Sequence, residues 1–320
     1  METISSIADL RALLKTKREN GAEVGLVPTM GYLHDGHVSL ISQAASECDV
    51  IVATIFVNPL QFAAGEDLDA YPRDPAGDAA KAEAAGVSIL FTPDLTEMYP
   101  HGRDSVLTTV AVPALASVME GSSRPTHFAG VCTVVAKIFN IVEPNRAYFG
   151  EKDYQQLAII RQMASDLSFP VAVVGCQTLR ESDGLAMSSR NVYLSPEERK
   201  VATILREALG LGANAILGGE RSSAQVKKVM ERHIETQTLG ALDYVEVADP
   251  DTLQPREIAE LDARLFGAIQ FSKARLIDNR AVVERSVVDH QGSAHDSGGQ
   301  IATKAAAGTG ESADKGSAGK

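Results

Sequence analysis

The sequence predicts an α/β protein, an open, doubly wound parallel sheet followed by a smaller C-terminal α+β domain. Three observations carry this. Strand-like and helix-like segments alternate through the first half, the pattern of right-handed crossovers. One strand, DVIVATIFV at residues 49–57, is a nearly unbroken β-branched run, as expected of a strand buried on both faces. From Ser189 the texture changes to two helices followed by strands that alternate like exposed-face strands.

In chain order, residues 4–19 read as an amphipathic helix with Ile7, Leu10, Leu13 and Leu14 on one side. EVGLVPT is a short apolar strand, and HVSLISQAASEC has helical spacing. After the 49–57 strand, PAGDAAKAEAAG is an Ala-rich helix closing on Gly86, a natural stop. VSILFTP is the next strand, VCTVVAKIFNIV a helix, RAYFG a strand, DYQQLAIIRQMASDL a helix and PVAVVGCQTL a further strand. SPEERKVATILREALGLGANAIL reads as one helix, with Ser195 as cap, Pro196 at its first position and Glu198 completing a capping box. SSAQVKKVMERHIETQ is a second helix, and LDYVEVADPDTL and ARLFGAIQFSKARLIDN alternate like strands with one exposed face. The expected division is a Rossmann-like domain over 1–183, a smaller α+β domain over 184–284 and a tail over 285–320. That tail is rich in Gly, Ser, Ala, Asp and Lys and has no Phe, Tyr or Trp, so disorder is expected.

Composition excludes several classes. The 320 residues carry a net charge of −12, against the Lys and Arg surplus that nucleic-acid binding needs. No apolar run is long enough to span a bilayer, and METISSIADLRALL does not read as a secretory signal. Cys48, Cys132 and Cys176 are scattered through apolar segments, as free thiols of a cytoplasmic protein would be.

Four stretches could carry chemistry. In VPTMGYLHDGHVSLI, residues 27–41, a strand runs into a turn and then a helix, the usual place for a phosphate. Gly31 and Gly36 let the backbone approach closely, and His34 and His37 project from the first helical turn. There they could stabilise charge on an α-phosphate. A zinc pair would need a third ligand that is not evident nearby, and two turn histidines without a role stand about even with the phosphate reading. In YFGEKDYQQL, residues 148–157, Glu151, Lys152 and Asp153 follow a strand at the end of a parallel sheet where ligands sit, with Lys152 a phosphate clamp. The competing reading is a solvated helix start. In RESDGLAMSSRN, residues 180–191, two serines and Arg190 suit a phosphate, or else an interdomain linker. In FVNPLQF, residues 56–62, Asn58 and Gln61 could hold a hydroxyl or carboxylate of a small substrate; alone, a polar strand end would be preferred.

Together PTMGYLHDGH, FVNPLQF, YPRD, RPTHFAGVCTVV, AYFGEKDYQQL, IRQMASDL and DGLAMSSRNVYL resemble, in order and spacing, the pantoate–β-alanine ligase family of the nucleotidylyltransferase superfamily. The resemblance covers about residues 1–280. It implies ATP-dependent joining of (R)-pantoate to β-alanine through a pantoyl adenylate, with magnesium neutralising the triphosphate, in a cytoplasmic homodimer. Position by position, it places Met30, Gly31, Tyr32, Leu33, His34, Asp35, Gly36 and His37 on ATP, with His37 as proton donor and His34 beside it on the phosphates. It places Gly150, Glu151, Lys152 and Asp153 on the nucleotide, with Lys152 on the phosphates, and Leu179 near the adenine. Met187, Ser188, Ser189 and Arg190 close over the phosphates; Gln61 and Gln156 hold pantoate, Gln61 also β-alanine, beside the Asn58 that the strand-end reading offers to the same substrate. Asp78 stands as the metal-side residue, although some relatives have consecutive acidic residues where this chain has Gly77 and Asp78. Tyr32 departs from the smaller residue or Asn common there.

Two other readings share these motifs. One is a sister adenylate-forming enzyme using a different acid, which a substrate panel separates. The other is a non-catalytic homologue, which would need a degraded motif.

Overall fold

The structure, a computed structural model, describes residues 1–284 except 64, 67 and 238; the tail expected to be disordered lies outside them. Met1–Glu284 form one compact unit. Its strands are β1 (Glu2–Ile4), β2 (Val24–Thr29), β3 (Val50–Ile55), β4 (Ile89–Phe91), β5 (Arg146–Gly150) and β6 (Ala172–Cys176) in one sheet, then β7 (Ala241–Ala248), β8 (Arg264–Gln270) and β9 (Arg275–Ala281). Helices α1 (Ile7–Glu19), α2 (Asp35–Glu47) and α3 (Pro75–Ala84) join the early strands. Short helices α4 (Leu95–Met98), α5 (Pro113–Ala116) and α6 (Glu120–Ser123) precede the long α7 (His127–Val142) and α8 (Tyr154–Asp166). Helices α9 (Pro196–Val201), α10 (Ile204–Leu217) and α11 (Ser223–Ile234) follow.

The first sheet has strand order β1-β4-β3-β2-β5-β6, and every pairing in it is parallel. The period of two along β3 explains its unbroken apolar run. Val50 and Val52 join the core shared with α1, α7 and α8, while Ile51 and Ala53 join the core shared with α2 and α3. Burial of each of the two valines and of Ile51 contributes about 1.5–3 kcal/mol. The doubly wound expectation therefore holds. The order reverses between β2 and β5, which pair through Gly25–Arg146 and Leu26–Ala147. A ligand crevice belongs at the carboxyl ends of the strands at that reversal.

Three expectations need correction. The first helix begins at Ile7, capped by Ser6, because residues 2–4 form a strand against β4. The single helix drawn over 195–217 is two, broken at 202–203, where the Thr203 hydroxyl bonds to Glu207 Oε1 at 2.8 Å. The 263–279 stretch is an antiparallel hairpin, and β8 is buried nearly end to end rather than half exposed. As the middle strand, it packs against α10 in the small sheet's core, while Phe266 meets Tyr154 of α8, ring centroids 6.0 Å apart. The helical turns between 95 and 123 had no expectation at all.

Candidate active site

The turn after β2 is held by hydrogen bonds between side chains and its backbone. Thr29 Oγ1 donates to Thr54 O (2.7 Å) and accepts from Gly31 N (3.1 Å). Gly31 (φ +85°) and Tyr32 (φ +52°) then take the left-handed conformation, which a bulky side chain such as Tyr rarely adopts. Asp78, on α3 and 2% exposed, supports the bend: its two oxygens accept from Tyr32 N (2.8 Å) and Leu33 N (2.6 Å). Lys81 Nζ donates to Leu33 O at 2.6 Å. The carboxylate expected on the metal side is thus engaged in holding the loop.

His34 and His37 cap α2 reciprocally. His34 Nδ1 accepts from Gly36 N (3.1 Å), and His37 Nδ1 accepts from His34 N (3.3 Å). Since a backbone N–H can only donate, each neutral ring carries its proton on Nε2. The rings lie 4.1 Å apart, and a Cβ at Gly36 would approach the His34 ring to 2.8 Å. Burial lowers His37 to about 3, helped by His34. Burial and then Lys152 lower His34 to about 4. Both are neutral donors at pH 7, short of a polyanion that would raise them.

Across the reversal, β5 ends at Gly150 and the turn Glu151–Asp153 presents Lys152, whose Nζ lies 3.3 Å from Asp153 Oδ1. The Lys152 and Arg190 cations outweigh desolvation of the Asp153 carboxyl and hold it below the usual range. In the Met187–Arg190 loop, Ser188 Oγ accepts from Arg190 N (3.3 Å), and the Ser189 hydroxyl meets the Tyr71 hydroxyl at 3.4 Å. Met187 Cβ would lie 3.6 Å from a Cβ at Gly36, so this loop sits on the histidine turn.

Asn58 and Gln61 form one cluster. Asn58, 1% exposed, donates to Gln61 Oε1 (3.2 Å) and Gly130 O (3.1 Å) and accepts from Tyr99 (2.8 Å) and Leu60 N (3.3 Å). All four of its hydrogen-bonding positions are filled. Asn58 therefore orients Gln61, and it lines the smaller cavity beside it. Gln61 Nε2 reaches Met30 Sδ at 3.0 Å. Its carbonyl accepts from His127 Nδ1 (2.9 Å) and Arg124 (3.3 Å).

Two cavities of about 240 and about 500 Å³ open here. They share Met30, Gln61, Lys152, Asp153, Gln156 and the ends of the Ser188–Arg190 loop, so they form one cleft. His34, Gly36, His37, Gly150, Leu179 and Met187 line the smaller cavity. Five expected contact residues lie off it: Gly31 and Tyr32 shape the bend, Leu33 is in the core, and Asp35 is exposed. Glu151 turns to Arg264, 3.5 Å away. Sequence reasoning missed Arg124, His127 and Tyr71. RPTH and YPRD stood among the resemblance motifs, but no role was drawn from them. Burial, then Arg124, lowers His127 to about 4. Among the described residues, no three His, Cys, Asp or Glu side chains gather as a metal site.

A parallel sheet whose switch point brings a histidine-capped helix, a lysine turn and a serine–arginine loop around one cleft defines a nucleotide-binding α/β enzyme. The chain belongs to the pantoate-β-alanine ligase family, whose model matches residues 2–281. It is 51% identical over 287 residues to the pantothenate synthetase of Rhizobium meliloti, covering 89% of this chain and 98% of that one. Its fold matches the Thermus thermophilus pantothenate synthetase with TM-score 0.83 and 48% identity, over 89% of this chain and all of the other. It also matches the Francisella tularensis ligase solved with a βγ-ATP ligand and β-alanine, at TM-score 0.71 and 32% identity, over 88% and 98% of the two chains.

Proposed function

We propose that the chain joins (R)-pantoate to β-alanine, forming pantothenate and cleaving ATP to AMP and pyrophosphate. The observation that carries this is the single cleft in which the histidine turn, Lys152 and the Ser188–Arg190 loop face the same space as Gln61 and Gln156. A pantoate carboxylate oxygen attacks the α-phosphorus of ATP, and pyrophosphate leaves. The β-alanine amine then attacks the acyl carbon, AMP leaves and the amine loses a proton. The first step brings two anions into line, so it needs fixed positive charge and fixed donors.

His37 and His34 supply two Nε2–H donors held by their cap bonds, at no reorganisation when charge develops. Lys152 and Arg190 supply charge to the departing pyrophosphate. Gln61, oriented by Asn58, and Gln156 hold the pantoate hydroxyls and carboxylate. ATP enters as its magnesium complex: magnesium keeps most of its ligands from phosphate and water, which fits a cleft whose shared wall offers one carboxylate, Asp153. Residues 1–183 serve as the ATP- and pantoate-binding part, and 184–284 as the part that covers it.

The chain works as a cytoplasmic homodimer in this reading. Its three cysteines are unpaired, as a reducing compartment requires, and no described helix is long and apolar enough to cross a membrane. The test is AMP formation with ATP and a panel of acids and amines. Turnover is expected with pantoate and β-alanine together; equal turnover with unrelated acids would overturn the substrate assignment.

A further inference from the structure

Asp278 and Asn279 are adjacent on β9, and each holds a different wall of the cleft. The Asn279 amide, in a residue 6% exposed, donates to the carbonyls of Glu151 (2.8 Å) and Lys152 (2.9 Å). Its Oδ1 accepts from the Arg264 guanidinium. Flipping the amide would set an oxygen against two carbonyls and an NH₂ against a guanidinium, so the network fixes its orientation. Arg264 is in turn held over the Tyr154 ring at 3.7 Å.

Asp278 receives the Arg180 guanidinium in two parallel bonds of 2.7 and 3.0 Å, and it also accepts from Asn279 N at 2.8 Å. Arg180 forms a β-bridge with Ala186, the residue before Met187, and donates to Gly184 O at 3.3 Å. One strand of the small sheet thus grips the backbone that carries Lys152 and the base of the loop that carries Ser188–Arg190. With both N–H groups of Asn279 engaged, it acts through Lys152 rather than on a substrate.

We propose that the Asp278–Asn279 pair is a positioning element that sets Lys152 and the Met187–Arg190 loop at the separation one polyphosphate needs. The proposal rests on the ATP-dependent reading above. In-line transfer is sensitive to placement, and an error near 1 Å lowers rates about a hundredfold.

The experiment is a double-mutant cycle between Asn279→Ala and Lys152→Ala, read by single-turnover pyrophosphate release with ATP and pantoate. Asn279→Ala is expected to slow the Lys152 protein about a hundredfold. In the Lys152→Ala background the same change is expected to matter less than about threefold, because the group it positions is gone. Equal factors in both backgrounds, or no effect in the first, would overturn the proposal. Asn279→Asp, which keeps an acceptor for Arg264 but removes both donors, serves if the alanine variant does not fold, with the same expectation. Equilibrium binding of a non-hydrolysable ATP analogue provides the same cycle if Lys152→Ala is too slow to time. Unsubstituted protein that releases no pyrophosphate with pantoate would instead overturn the functional reading, so the two failures are distinct.

Discussion

Replacing Asp78 by Asn asks whether this carboxylate builds the histidine loop or serves a metal. The side chain is 2% exposed, and its oxygens accept from Tyr32 N at 2.8 Å and Leu33 N at 2.6 Å. Asn keeps the shape but offers one carbonyl oxygen, and turns an NH₂ toward the other N–H. One charge-assisted bond is lost, about 1.5–3 kcal/mol, and a buried donor is left unpaired, about 1–3 kcal/mol. A net loss of about 3 kcal/mol is a large part of the 5–15 kcal/mol typical of a folded protein. Urea denaturation should show the midpoint falling by roughly 1 M, with the slope unchanged. The loop also carries His34 and His37, so the KM for ATP should rise roughly tenfold, equivalent to about 1.4 kcal/mol. Added magnesium should not restore it. A variant of undiminished stability whose activity returns with excess magnesium would refute the reasoning and make Asp78 a metal-side residue.

The remaining predictions concern the histidines and the amide cluster. His37→Ala should slow adenylate formation about 10²–10³-fold while ATP affinity stays within a few fold, because a donor aimed at developing charge acts mainly in the transition state. Rapid-quench rates beside equilibrium binding check this; equal losses in both would assign His37 to ground-state binding. Acid should destabilise the unliganded protein through its lowered histidines. Above 6.5 these are neutral in both folded and unfolded chains, so they add no pH dependence there. Below 6.5 the unfolded chain gains protons that the native sites refuse down to about 4 for His34 and His127 and about 3 for His37. Stability is therefore lost as pH falls through that window, at no more than about 1.4 kcal/mol per pH unit for each histidine and less for the partly exposed His34. Denaturation midpoints across the window test the sign; a midpoint that rises on acidification contradicts it. Asn58→Ala removes four hydrogen bonds, three of them buried, so it should cost about 3 kcal/mol in unfolding experiments and raise the KM for pantoate more than that for ATP.

What the sequence discloses and what it conceals follow from the range of the forces involved. The β3 run was legible because burial on two faces leaves a local pattern with no polar residue from Val50 to Ala53. The histidine, Lys152 and Ser188–Arg190 motifs were legible because each is contiguous and lies at an element boundary. Strand β1 was not: its three residues are mostly exposed, and only their register with Ile89–Phe91 makes them a strand. The grip of Asp78 on the histidine loop was hidden because its partners lie more than forty residues away. The anchoring of Asn58 was hidden for a related reason. An amide at a strand end looks available until Tyr99 and Gly130 arrive from distant elements to occupy it. Asn279 reads as one more residue of an alternating strand, and its grip on the Lys152 turn exists only once the hairpin packs there.

The most direct measurement is pyrophosphate release in a rapid-mix experiment with enzyme, ATP and (R)-pantoate, and no β-alanine. The account predicts a burst of about one pyrophosphate per active site as pantoyl adenylate accumulates, followed by AMP only when β-alanine is added. Absence of pantoate-dependent pyrophosphate, or a strict need for β-alanine before any is released, would contradict it.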